Sequence, residues 1–158
     1  MHAVFFDIDG TLLETHGAGK EAFSGALQEV YGLVDDLSYV VWAGATDLLV
    51  LEQVAKRNDT ELQQEKFPHF FEVLSHRTDH AMGNTTALQI FPGVSELLAA
   101  LHEHPQISLG LITGNARGSA FQKLKHVGLD HYFDHGGFGD QHGDRNELAR
   151  IAKMAAAQ

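Results

Sequence analysis

The stretch Val4-Phe5-Phe6-Asp7-Ile8-Asp9-Gly10 is an apolar run that stops abruptly at two aspartates and a glycine. Val4–Phe6 reads as a short buried strand. Side chains alternate along a strand, so Asp7 and Asp9 project to the same side if the chain stays extended. Gly10 then lets the backbone turn sharply away. Two carboxylates at the carboxyl end of a strand create a strong local negative field. Such a field either holds a hard cation or separates the pair into one base and one acid.

A second turn of this kind follows about a hundred residues later. Ile107–Ile112 reads as a strand that ends at Thr113-Gly114-Asn115. A hydroxyl and free backbone N–H groups at a strand-to-helix turn suit a phosphate oxygen. In open parallel sheets, sites form outside the carboxyl ends of the strands. Asp7, Asp9 and Thr113 are therefore expected to meet at one edge.

Between these two turns the pattern is helical. Lys20–Tyr31 carries apolar residues at helical spacing, with Gly32 at the C-cap position. Thr46-Asp47 caps a helix over Leu48–Arg57, and Asn58-Asp59-Thr60 breaks it. Thr60 is placed to cap the next helical stretch. Glu61–Lys66 and Phe67–Ala81 read as helix interrupted near Pro68. Phe67, Phe70, Phe71 and Leu74 form the apolar stripe of that helix, and Trp42 is expected to pack beside it. Nothing between Leu13 and Phe91 reads as strand. After Phe91-Pro92-Gly93, a helix over Val94–His104 presents Val94, Leu97, Leu98 and Leu101 on one face. A helix over Ser119–Val127, a short strand within Tyr132–Phe138 and a last helix over Asp144–Ala157 complete the chain. Strands alternating with helices imply an α/β fold with a parallel sheet.

Composition narrows the function classes. A length of 158 residues suits one domain, or a core with a small insertion. The net charge of −10 argues against a nucleic-acid partner, which requires a basic face. With no cysteine, the chain has neither disulfides nor a thiolate metal site. The eleven histidines lack metal-ligand spacing. No apolar run approaches the roughly 20 residues that span a bilayer, so no membrane partner is expected. The N-terminus enters a strand at once and does not resemble a signal peptide, so a cytoplasmic location is the expectation.

Asp7-Ile8-Asp9-Gly10-Thr11 resembles the first motif of the haloacid dehalogenase (HAD) superfamily in its phosphatase form, Asp-x-Asp-Gly-Thr. The strand ending at Thr113 resembles the second motif. Phe91-Pro92-Gly93-Val94 is similar to the segment that returns these enzymes from cap to core. Gly128–Asp134 is similar to the link to their third core strand. The pattern looks most like the phosphoglycolate-phosphatase-like members. The resemblance implies an incomplete Rossmann-like core from residues 1–14 and 90–158, with a helical cap over residues 15–89. It also implies a Mg²⁺-dependent phosphatase acting on small phosphorylated metabolites such as phosphoglycolate, phosphoserine or sugar phosphates. The alternatives are a phosphomutase of the same superfamily and a catalytically weak, truncated protein acting through association.

By the same resemblance, Asp7 is the nucleophile that forms an aspartyl-phosphate, and Asp9 is the general acid and base. The Asp7 carboxylate and the Asp9 backbone carbonyl ligate Mg²⁺, while Thr113, Gly114 and Asn115 hold the phosphoryl oxygens. Arg145 fits the third motif, binding the phosphoryl group and orienting Asp7. Lys123 and Lys125 are weaker candidates, both read as solvated. Lys20, His16, Thr46 and Asp47 lie where such a cap faces the substrate, although each taken singly reads as a surface or capping residue. The fourth motif should add acids to the metal site. Gly139-Asp140-Gln141-His142-Gly143-Asp144 has its spelling, which makes Asp140 and Asp144 candidate ligands. It precedes Arg145 rather than following it, and residues 134–138 make a poor buried strand. The resemblance thus covers about the first two-thirds of a phosphatase. The strand ending at Asp7 is expected to be an open edge, and a homodimer or higher homo-oligomer is expected to cover it.

Overall fold

The computed structural model describes residues 1–157. Strand β1 (His2–Phe6) pairs in parallel with β4 (Ile107–Ile112), and β4 pairs in parallel with β5 (His135–Gly137). The sheet order is β1-β4-β5, which leaves β1 at one edge. The fold is α/β with a parallel sheet, as the alternation of elements predicts. The apolar core at the sheet gathers Ile8, Leu12, Leu13, Leu98, Leu109, Leu111, Leu124 and Phe138.

The chain leaves the sheet through β2 (Leu13–Glu14) and returns through β3 (Gln89–Ile90), and these two short strands pair antiparallel. Sequence reading finds no strand here, because a two-residue strand is too short to show period-two patterning. Between them lie α1 (Ala18–Tyr31), α2 (Asp47–Arg57) and α3 (Phe67–Asn84). Their apolar faces form a second core around Phe23, Leu27, Leu51, Val54, Phe70 and Leu74. Phe23 meets Phe70 and Trp42 edge to face, with centroids 5.3 and 5.7 Å away. Such aromatic pairs stabilise beyond the area they bury.

Several elements start or stop elsewhere than the sequence predicts. Pro68 does not interrupt a helix; it sits in the first turn of α3, where its missing N–H costs nothing. Thr60 caps nothing, since its hydroxyl donates to the Asn58 carbonyl and residues 61–63 are irregular. A short 3₁₀ turn (Gln64–Lys66) precedes α3 instead. Helix α4 (Val94–His102) buries Val94 and Leu98, but Leu97 faces solvent. The segment His135-Gly136-Gly137 is a buried strand despite its composition. Its glycines admit close neighbours: a Cβ on Gly137 would strike the backbone of Leu148 in α6 (Arg145–Ala155). No helix among the described residues is long and apolar enough to cross a membrane.

Candidate active site

The carboxyl ends of β1 and β4 open into a cleft of about 460 Å³ that is roofed by the inserted helices. Asp7 and Asp9 line it from β1's end, Gly114 and Asn115 from the turn after β4, and Arg145 from the start of α6. Lys20, Phe23, Trp42 and Asp47 line it from the insertion. The sheet side of the cleft is therefore charged, and the insertion contributes both apolar and charged side chains.

Each aspartate has its own cation. Arg145 Nη2 donates to Asp7 Oδ2 at 2.8 Å and to the Ile112 carbonyl at 3.2 Å. The other Asp7 oxygen accepts from the Ile8 N–H at 2.8 Å. Lys123, on α5 (Arg117–His126), donates to both carboxylate oxygens of Asp9 at 2.9 Å and to Asn115 Oδ1 at 2.7 Å. Asn115 Nδ2 closes the ring by donating to Asp9 Oδ2 at 2.7 Å. The solvated reading of Lys123 is corrected: it is 5% exposed, because its position on α5 points at the cleft rather than outward. Lys125 is exposed.

Thr113 is fully buried, and its hydroxyl accepts from the N–H and the side chain of Asn115 at 3.2 and 2.8 Å. It supports the turn from behind and does not line the cleft. Asp140 and Asp144 do not join Asp7 and Asp9 as the expected metal cluster. Asp140 Oδ1 accepts from the Arg117 N–H at the start of α5, and Asp144 caps α6 through the Asn146 N–H. Backbone amides at helix starts attract carboxylates, and these two are so engaged. Among the described residues, no group of three or more His, Asp or Glu side chains is arranged to hold an ion. His16 lines an open groove beside α1 and α3 rather than the cleft, which its neighbours Thr15 and Gly17 line.

The insertion is fastened to the sheet at the start of α2. Thr46 caps α2 by accepting from the Leu49 N–H at 3.1 Å, and its hydroxyl donates to the Gly143 carbonyl at 3.1 Å. The Asp47 and Leu48 N–H groups donate to the Gly114 and Gly139 carbonyls at 2.7 and 2.9 Å. Asp47 Oδ2 accepts from the Ala116 N–H at 2.7 Å. Gly114 is required by this approach, because a Cβ there would run into the Ala45 carbonyl. Burial pushes the Asp47 carboxyl up to about 6; the Ala116 N–H and Lys123 pull it down, and Asp9 and Asp140 push it up. The sequence marks Thr46-Asp47 as a helix cap, and the family resemblance puts both where such a cap faces the substrate, but nothing in it signals their bonds to residues 114, 139 and 143.

A family model described as haloacid dehalogenase-like hydrolase matches residues 1–158. No curated protein matches the chain. Among solved structures, CbbY from Rhodobacter sphaeroides in complex with phosphate is similar at 18% identity and a TM-score of 0.72, covering 99% of this chain and 72% of that one. A predicted phosphatase from Clostridium acetobutylicum is similar at 20% identity and a TM-score of 0.60, covering 99% and 70%. A predicted phosphoglycolate phosphatase from Haemophilus somnus 129PT is similar at 24% identity and a TM-score of 0.52, covering 82% and 58%. At these identities the likeness speaks for the fold.

Proposed function

Because the chain belongs to the haloacid dehalogenase-like hydrolases, we propose that it is a phosphatase of small phosphomonoesters. The observation that carries this reading is the pair of aspartates at the cleft floor, each held by a separate cation. Asp7, fixed by Arg145 and the Ile8 N–H, attacks phosphorus and forms an aspartyl-phosphate. Asp9 gives a proton to the leaving oxygen as the P–O bond breaks, then takes one from the water that hydrolyses the intermediate. In this reading Arg145, Gly114 and Asn115, which line the cleft, bind the phosphoryl oxygens, with Lys20 on the insertion side.

Mg²⁺ fits this donor set in the share that the ion takes from a protein. It binds through one or two carboxylates alongside waters and substrate phosphate. Asp7 offers a carboxylate in a cleft open to solvent, and the Asp9 backbone carbonyl would be its partner ligand. The ion would supply positive charge between the nucleophile and the incoming phosphate.

The apolar wall of Phe23, Trp42 and Leu74 and the cleft's modest volume suit small esters such as phosphoglycolate, phosphoserine or a sugar phosphate. The test is orthophosphate release from a panel of such esters, with Mg²⁺ and with chelator. At least one ester should be hydrolysed, chelator should slow it, and Asp7→Asn should abolish turnover without unfolding the protein. Wild-type rates in Asp7→Asn would overturn the reading. Phosphate retained on an isomerised product would mark a mutase instead.

A further inference from the structure

Lys123 is a buried ammonium, and its surroundings are specific. It lies on α5 between two buried apolar residues, Ala120 and Leu124. An ammonium in such a place is costly unless every proton has an acceptor. Its three donors have three acceptors: the two oxygens of Asp9 and the amide oxygen of Asn115. Asn115 is fixed in turn by the Thr113 hydroxyl and by Asp9. On the insertion side, Gly19 of α1 leaves the room, since a Cβ there would lie 3.3 Å from the Lys123 Nζ.

The result is a closed ring of three side chains in which Asp9 has little rotational freedom. Asp7 has a different support, Arg145, so the two aspartates are held independently. We infer that Lys123 is a positioning residue for Asp9: it aims the carboxylate of the acid–base step and acts on the reaction only through it. This rests on the phosphatase reading above. It differs from a role for Lys123 as a phosphate-binding cation, which its place beside the cleft would also permit.

The test is a double-mutant cycle with an ester that the wild type hydrolyses: Lys123→Met, Asp9→Asn and the two combined. Losing aim at the acid–base group should lower kcat by roughly 100-fold or more while KM stays within about twofold. The double variant should be no slower than Asp9→Asn alone, because a residue acting through Asp9 has nothing left to act on. Lys123→Arg should not rescue, since the larger planar group cannot fit against Gly19. A double variant slowed by the product of the two single effects, or a raised KM with unchanged kcat, would overturn the inference in favour of direct phosphate binding. Should Lys123→Met fail to fold, the Lys123 ammonium is followed by NMR in the wild type and in Asp9→Asn. Slow proton exchange in the wild type, lost in the variant, is the expected result; fast exchange in both would refute the ring. A wild type that hydrolyses no ester takes down the phosphatase reading and this role with it. An active wild type with multiplicative effects removes only this role.

Discussion

At Asp47 a carboxylate from the inserted helices sits over the Ala116 N–H, near Lys123, Asp9 and Asp140, and titrates near 6 instead of near 4. The native state therefore binds more protons than the unfolded chain between those values. Stability falls as pH rises through that window, and the loss is complete above it. The contribution is on the order of 2–3 kcal/mol. Asp47→Asn keeps an acceptor for Ala116 but removes the titration. Its stability, measured by urea unfolding from pH 4 to 7, should decline less than the wild type's; parallel curves would refute the assignment. The same scale shows where sequence reading stops. Asp7, Asp9 and Arg145 stand out as residue types at strand and helix ends. Lys123 and Lys125 are the same residue type two positions apart on one helix, and only the packing of α5 decides which is buried. Asp140 and Asp144 have the spelling of a metal site, but the starts of α5 and α6 claim them.

Among the elements, β2 and β3 leave no trace in the sequence, and β5 is legible only as a short strand somewhere within Tyr132–Phe138. Two glycines and a histidine lack the β-branched signature of a buried strand: α6 comes close at Gly137, and the Leu111 backbone of β4 comes close at Gly136. Gly137→Ala should force α6 off the sheet and cost roughly 1–3 kcal/mol, seen as a lower urea midpoint. An unchanged midpoint would mean that α6 yields freely. At the start of α2, the Thr46 hydroxyl serves both the Leu49 N–H and the Gly143 carbonyl. Thr46→Ala should cost about 1 kcal/mol for the cap alone, with more from the Gly143 carbonyl it leaves unpaired. A loss of only a few tenths would show that water replaces both bonds. The long helices were legible because their apolar residues recur at helical spacing, as at Ala22, Phe23, Ala26 and Leu27. Their ends were less so: α3 begins at Phe67 because Pro68 favours a first turn, a preference that also reads as a break.

For the whole molecule, β1 is the edge of the sheet, with strand pairing on one side only among the described residues. Val4, Phe5 and Phe6 lie along it, partly exposed. An unpaired apolar edge is a template for another strand. We propose that copies of this chain associate through this edge, with a two-fold dimer as the simplest closed form. Light scattering over a dilution series should give a mass above one chain at micromolar concentration. A monomeric, active protein throughout would count against it.

The β2–β3 ribbon has a consequence for chain entropy. The pairing of Phe6 with Leu111 closes a loop of about 100 residues along the sequence. Leu13 and Ile90 face each other in the ribbon, so once it has formed, the path from Phe6 to Leu111 shortens to about 30 steps. Loop-closure cost grows with the logarithm of length, and this shortcut lowers it by about 1 kcal/mol for the sheet. The four residues of the ribbon therefore let the three inserted helices be long without making the distant strands correspondingly harder to bring together.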